Sequence, residues 1–159
     1  MTNTCPGMKR KRSTPRARPD SLEFRTYLAL VQAHEAQNAP FVEVFKGAGL
    51  TEVQFNTLRI LLRGPEEGCT CQQIGEQLLH RVPDVTRLLD RMERAGLVAR
   101  ERSAVDRRVV LVRITPHGQG AAEALYQPLA KLHRRQLAHL SKGDMGTLNR
   151  LLRTLFVER

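Results

Sequence analysis

The stretch TCQQIGEQLLHRVPDVTRLLDRMERAGLVARERSAVDRRVVLVRIT, residues 70–115, changes its hydrophobic period from helical to strand-like within a few dozen residues. Thr70 followed by Gln73 is a capping-box start, and Ile74 and Leu78 then recur at a spacing of four, as on one face of a helix. Gly75 between them is either tolerated or marks a close helix crossing. After a short HRV connection, Pro83 and Asp84 suit the first turn of a second helix. Val85, Leu88, Leu89 and Met92 then repeat as i, i+3, i+4 and i+7, and Gly96 is a stop. Leu97-Val98 opens a strand, and Val110, Val112 and Ile114 alternate on another. The order is therefore helix, connection of about four residues, helix, hairpin.

That order is the outline of a winged helix-turn-helix. The hairpin tip lacks the Asn-Gly or Asp-Gly of a tight turn. It carries Arg102, Asp106, Arg107 and Arg108 instead, as a longer wing reaching a nucleic-acid groove would. Asp106 is expected to partner Arg108 internally, leaving Arg102 and Arg107 for phosphates or a narrow minor groove. The second helix turns Thr86, Arg87, Asp90, Arg91 and Arg94 away from its apolar stripe. This face reads either as a solvated, salt-bridged surface or as one able to reach base edges and phosphates.

Working outward, Thr51 and Gln54 form a second capping box, with Leu50 and Phe55 placed as a hydrophobic staple and Gly64-Pro65 closing the helix. Residues 22–47 are helical, as two helices or one kinked at Pro40, after an N-cap at Asp20 or Ser21 and before stops at Gly47 and Gly49. Thr115-Pro116 begins a further helix bearing Ala121, Leu125, Leu129 and Leu132, with a kink expected at Pro128. The last helix starts at Ser141 and brings Met145, Leu148, Leu152, Leu155 and Phe156 to one side. These terminal helices carry more apolar surface than a small winged core covers.

The 159 residues suit one domain, residues 21–159, behind a basic tail, residues 1–20, that lacks the apolar content to fold and is expected to be disordered. The formal charge of +10 favours a polyanionic partner. Scarce aromatics and absent Trp argue against single-strand stacking, so a duplex is the expected partner. The tail grips phosphates or is simply solvated. Three cysteines, Cys5, Cys69 and Cys71, with no apolar signal segment, point to the cytoplasm rather than to a disulfide framework. No apolar run is long enough to span a bilayer, so no membrane role is expected. No Gly-rich phosphate loop, H-E-x-x-H or Ser elbow is present, so neither an enzyme nor a cofactor is expected. Cys69, Cys71 and His80 match no zinc spacing, and the histidines at 34, 117, 133 and 139 are scattered, so no metal is expected.

Residues 85–125 resemble the core of the MarR family of bacterial transcription regulators, in which an Asp-x-Arg wing element precedes a strand ending in Leu-Thr or Ile-Thr and then a Gly. Asp106, Arg108, Ile114, Thr115 and Gly118 stand at those places, and a weaker match covers nearly everything after the tail. The resemblance implies a mainly α fold with a small β-hairpin wing. It places the winged helix-turn-helix at about 50–114, flanked by dimerisation helices at about 21–48 and 115–158. It also implies an obligate homodimer reading a pseudo-palindrome of double-stranded DNA, commonly under a small aromatic or phenolic effector. The start of the recognition helix, Pro83, Asp84, Val85, Thr86 and Arg87, takes the base-reading role. Arg91 goes to phosphate, as do Thr70 and Gln72 at the start of the preceding helix. The expected function is a sequence-specific regulator, most naturally a ligand-responsive repressor. The alternatives are a thiol-redox regulator of the same fold using Cys69 or Cys71, and a non-specific architectural DNA protein.

Overall fold

A computed structural model describes residues 21–80 and 82–155; the basic tail with Cys5, and Phe156, lie outside the described residues. Six helices and one hairpin follow in the order α1 (Leu22–Gly47), α2 (Glu52–Arg63), α3 (Cys71–Gln77), α4 (Val85–Arg94), β1 (Val98–Arg102), β2 (Val110–Ile114), α5 (Pro116–Gln136) and α6 (Lys142–Leu155). The fold is thus mainly α with a two-stranded antiparallel wing. The chain divides into two compact units after Ala36, within α1.

In the first unit, α1 begins where the Ser21 hydroxyl accepts the Phe24 N–H at 3.2 Å, so Ser21 and not Asp20 is the cap. Leu22 and Tyr27 are exposed on this part of the helix. The helix is one element through Pro40, which resolves the two readings of this segment.

In the second unit, α1 ends in a Schellman turn. Gly49 takes φ +69° and its N–H meets the Lys46 carbonyl, while the Leu50 N–H meets that of Phe45, both at 3.1 Å. The stop is therefore Gly49, whereas Gly47 is still helical. Both capping boxes form as the sequence predicts, at Thr51/Gln54 and Thr70/Gln73. Leu50 and Phe55 are buried in one cluster with Phe45, Leu58, Ile74, Leu88, Leu89, Met92, Val98, Val112, Ala122 and Leu125. On α5 the position facing this core is Ala122, with Ala121 beside it only half-buried. An aromatic series, Phe41, Phe45, Phe55 and Tyr126, joins the end of α1 to α2 and α5.

Where α1 crosses Pro40, the helix loses a donor, since proline has no N–H. The Gln136 side chain of α5 donates to the nearby Gln37 carbonyl at 2.8 Å. The last helix, α6, is capped reciprocally by Ser141 and Asp144, and none of its residues is buried. No described helix is long and apolar enough to cross a membrane.

Candidate nucleic-acid interface

The candidate interface comprises α3, α4 and the hairpin, and two glycines fix how these elements meet. Gly75 lies where α3 crosses α4, and a Cβ there would stand 3.3 Å from Val85 Cγ2, so the sequence's close-crossing alternative is the one realised. Gly96 takes φ +68° at the end of α4, its N–H bonding to the Glu93 carbonyl and that of Leu97 to the Met92 carbonyl, both at 2.9 Å. This Schellman turn delivers the chain directly into β1.

The connection between α3 and α4 is longer than the expected four residues, running over positions 78–84. Leu78 turns extended at φ −65°, ψ 136° and ends α3 early, tucking its side chain against the core while Leu79 is left exposed. The start of α4 also shifts by one position. Pro83 precedes the helix rather than occupying its first turn, and Asp84 is the N-cap, its carboxylate accepting the Arg87 N–H at 2.9 Å. The same carboxylate meets the Arg87 guanidinium at 3.1 Å across largely exposed side chains.

Of the residues assigned to base reading, Thr86 and Arg87 face solvent. Val85 instead packs on the core, because it belongs to the stripe of Leu88, Leu89 and Met92. Arg91 is exposed one turn further on, beyond Arg87. At the start of α3, Thr70 is absorbed by its own cap: its N–H donates to Gln73 Oε1 at 2.8 Å and its hydroxyl accepts the Gln73 N–H at 3.2 Å. Gln72 is exposed and donates to Glu76 at 2.9 Å.

The hairpin pairs Val98 with Ile114, Arg100 with Val112 and Arg102 with Val110. Cys69 adds a one-residue third strand, exchanging two backbone hydrogen bonds with Val112 at 3.0 and 2.8 Å. At the tip, Asp106 does partner Arg108, but through the backbone. Its carboxylate accepts the Arg108 N–H at 2.9 Å, and no ion pair joins their side chains among the described residues. The acid therefore shapes the turn as an Asx motif and leaves the Arg108 guanidinium outward with that of Arg107. Ser103 completes the turn by accepting the Val105 and Asp106 N–H groups at 3.2 and 3.4 Å. Arg102 donates to the Arg107 carbonyl at 3.3 Å, which ties the two sides of the tip together.

Sequence reasoning passed over Arg100. Its guanidinium meets Asp90 in a short charge-assisted bond, Glu93 Oε2 at 3.3 Å and the Thr86 carbonyl at 3.3 Å, while its backbone N–H donates to Glu93 Oε1 at 3.1 Å. The bond it donates to Asp90 raises its pKa further, burial opposes this, and the neighbouring charges of Asp90, Glu93 and Cys71 add to the rise. A signal was present in the period-2 pattern. Arg100 shares a strand face with Val98, so a charge falls where an apolar residue belongs and requires partners.

Cys69 is 2% exposed, and burial followed by the charge of Glu67 pushes its thiol pKa up. A raised pKa in a closed site is the opposite of what a reactive thiolate needs. Cys71 is half-buried. No group of three His, Cys, Asp or Glu side chains able to hold a metal occurs among the described residues.

Comparison with known proteins matches residues 48–109 to the MarR family. The homoprotocatechuate degradative operon repressor of Escherichia coli is 30% identical over 125 residues, spanning 79% of this chain and 83% of the relative. A MarR transcription factor from Planctomyces limnophilus is similar at 37% identity and TM-score 0.64, with 86% of this chain and 99% of that one covered. A mutant of Escherichia coli MarR, solved with operator DNA, shares the fold at TM-score 0.74 and 23% identity over 84% of this chain and 95% of its own. The span matched to the family runs from the end of α1 through both capped helices and α4 to the wing tip, and the chain belongs to the MarR family of transcription regulators.

Proposed function

We propose that the protein represses transcription by binding a pseudo-palindromic operator as a homodimer, with α4 of each protomer in a major groove and each wing alongside. The observation that carries this is the division of α4. Its apolar stripe is locked into the core, while Thr86, Arg87 and Arg91 are exposed on the other side. Thr and Arg at the N-terminal end of a helix are suited to base edges and phosphates of a major groove. Arg102, Arg107 and Arg108 at the tip, with Gln72 at the start of α3, supply phosphate contacts that give affinity without sequence information. Family relatives support the reading: one is a repressor of a degradative operon and another was solved on operator DNA.

The dimer is supported by apolar side chains that remain exposed among the described residues. Leu22, Tyr27, Leu148, Leu151 and Leu155 are all exposed, and α6 buries nothing. Two recognition helices related by a two-fold axis would meet successive grooves roughly 34 to 36 Å apart.

A cavity supports the reading of a small effector. An open cavity of about 480 Å³ lies between the end of α1 and α5, walled by Pro40, Val44, Pro128 and Leu132 with Glu43, Lys131 and Arg135 at its sides. Apolar walls with two cations against the single acid Glu43 suit a small aromatic or phenolic acid.

Selection of bound sequences from random duplexes by the purified full chain, with sedimentation in parallel, tests the proposal. The expected outcome is one enriched pseudo-palindrome bound by a dimer. Uniform coverage of all duplexes would favour an architectural DNA protein, and a stable monomer would overturn the assignment of the terminal helices.

A further inference from the structure

We propose that Arg100 is a positioning residue: by joining β1 to the whole length of α4 it sets the orientation of Thr86 and Arg87 relative to the wing, and so governs sequence selectivity without touching DNA. This rests on the DNA-reading function proposed above.

The strand end of the link is rigid. Arg100 stands opposite Val112, which is fully buried and bonded on both its backbone groups to Cys69, so β2 is pinned at the position that Arg100 faces. The helix end spans about two turns, from Thr86 to Glu93. Glu93 takes both the guanidinium and the backbone N–H of Arg100, covering the edge of β1 that faces α4. Asp90 is held one turn earlier, and the Thr86 carbonyl lies in the first turn, beside the residues that face outward. Only 23% of the Arg100 side chain is exposed, so its donors are turned into the protein rather than towards a ligand. A planar guanidinium with several fixed donors is suited to this task, whereas a flexible ammonium is not.

Charge gives the link a second effect. Arg94 bonds to the backbone carbonyl of Asp90, not to its carboxylate. Removing Arg100 would therefore leave the Asp90 and Glu93 carboxylates without their shared cation on a helix that must approach a polyanion.

The test compares the full chain with Arg100→Met, Arg100→Lys and Asp90→Asn, each titrated at several salt concentrations on the selected operator and on a scrambled duplex. For Arg100→Met, the ratio of operator to scrambled affinity should fall by roughly tenfold or more, the scale of one lost base contact. The salt slope on scrambled DNA should stay unchanged, because no phosphate contact is lost. Arg100→Lys should keep the slope and still lose most of the ratio. Should Arg100→Met fail to fold, Asp90→Asn reads the same link on a half-exposed residue, and a lowered ratio is again expected. An unchanged ratio in the folded variants would overturn the inference. So would a slope reduced by about one on both duplexes, which marks a phosphate contact. Wild-type protein binding both duplexes equally would instead overturn the underlying DNA-reading function.

Discussion

Gly118→Ala puts a methyl group where the fold has no room. A Cβ built on Gly118 would lie 2.0 Å from the Leu97 carbonyl oxygen and 2.9 Å from its carbon. Ordinary carbon–oxygen contacts fall near 3.3 Å or more, so α5 and the α4–β1 turn must part by about 1.3 Å. The neighbour is backbone and cannot swing away. The same carbonyl accepts the Thr115 N–H at 3.2 Å, and the Thr115 hydroxyl donates to the Gly96 carbonyl at 2.6 Å, so parting strains both bonds. Overpacking costs about 1–3 kcal/mol and each of the two weakened hydrogen bonds about 1, offset by about 1 from the better helix propensity of alanine. The net loss is about 2–4 kcal/mol of unfolding free energy, read by urea denaturation at fixed protomer concentration. Gly120→Ala is the matched control. It lies in the same helix, its Cβ would meet nothing within 4 Å, and alanine there should stabilise by about 1 kcal/mol or less. Equal stability changes in the two variants would refute the close-approach argument, because only propensity would then distinguish alanine from glycine.

Arg87→Ala should weaken binding chiefly to the selected operator, read by titration against a scrambled duplex; equal losses on both would remove Arg87 from base readout. Deleting residues 1–18 removes six basic residues and should lower affinity for every duplex while flattening the salt slope, and an unchanged slope would show that the tail does not contact phosphate. Iodoacetamide should label Cys71 well before Cys69 in the native protein, with mass spectrometry as the readout; comparable rates would contradict the burial of Cys69. The same thiol carries a pH dependence. Its pKa is raised on folding, so its neutral form adds stability that is present below the ordinary thiol pKa and lost as pH rises through the raised value, and urea midpoints of wild type and Cys69→Ala should converge in that alkaline range.

Local chemistry made much of this protein legible from its sequence. A capping box needs only two side chains three residues apart, and an amphipathic stripe only a period, so the starts of α2 and α3 and the inward face of α4 could be read directly. The order helix, connection, helix, hairpin outlined the winged fold, and the family resemblance rests on Asp106, Arg108, Ile114, Thr115 and Gly118 in one short stretch. Tertiary structure decided what depends on partners distant in sequence. Val85 was offered to DNA although its stripe places it against α3, and Asp106 turned out to bind a backbone N–H rather than a guanidinium. Thr70 proved to be occupied by its own cap. Arg100 went unnoticed because its partners, Thr86, Asp90 and Glu93, lie on another element and come within reach only once β1 packs beside α4. Gly118 shows both sides together. Its place in the signature could be read in the sequence, but the reason for glycine, the Leu97 carbonyl pressed against it, exists only in the folded chain.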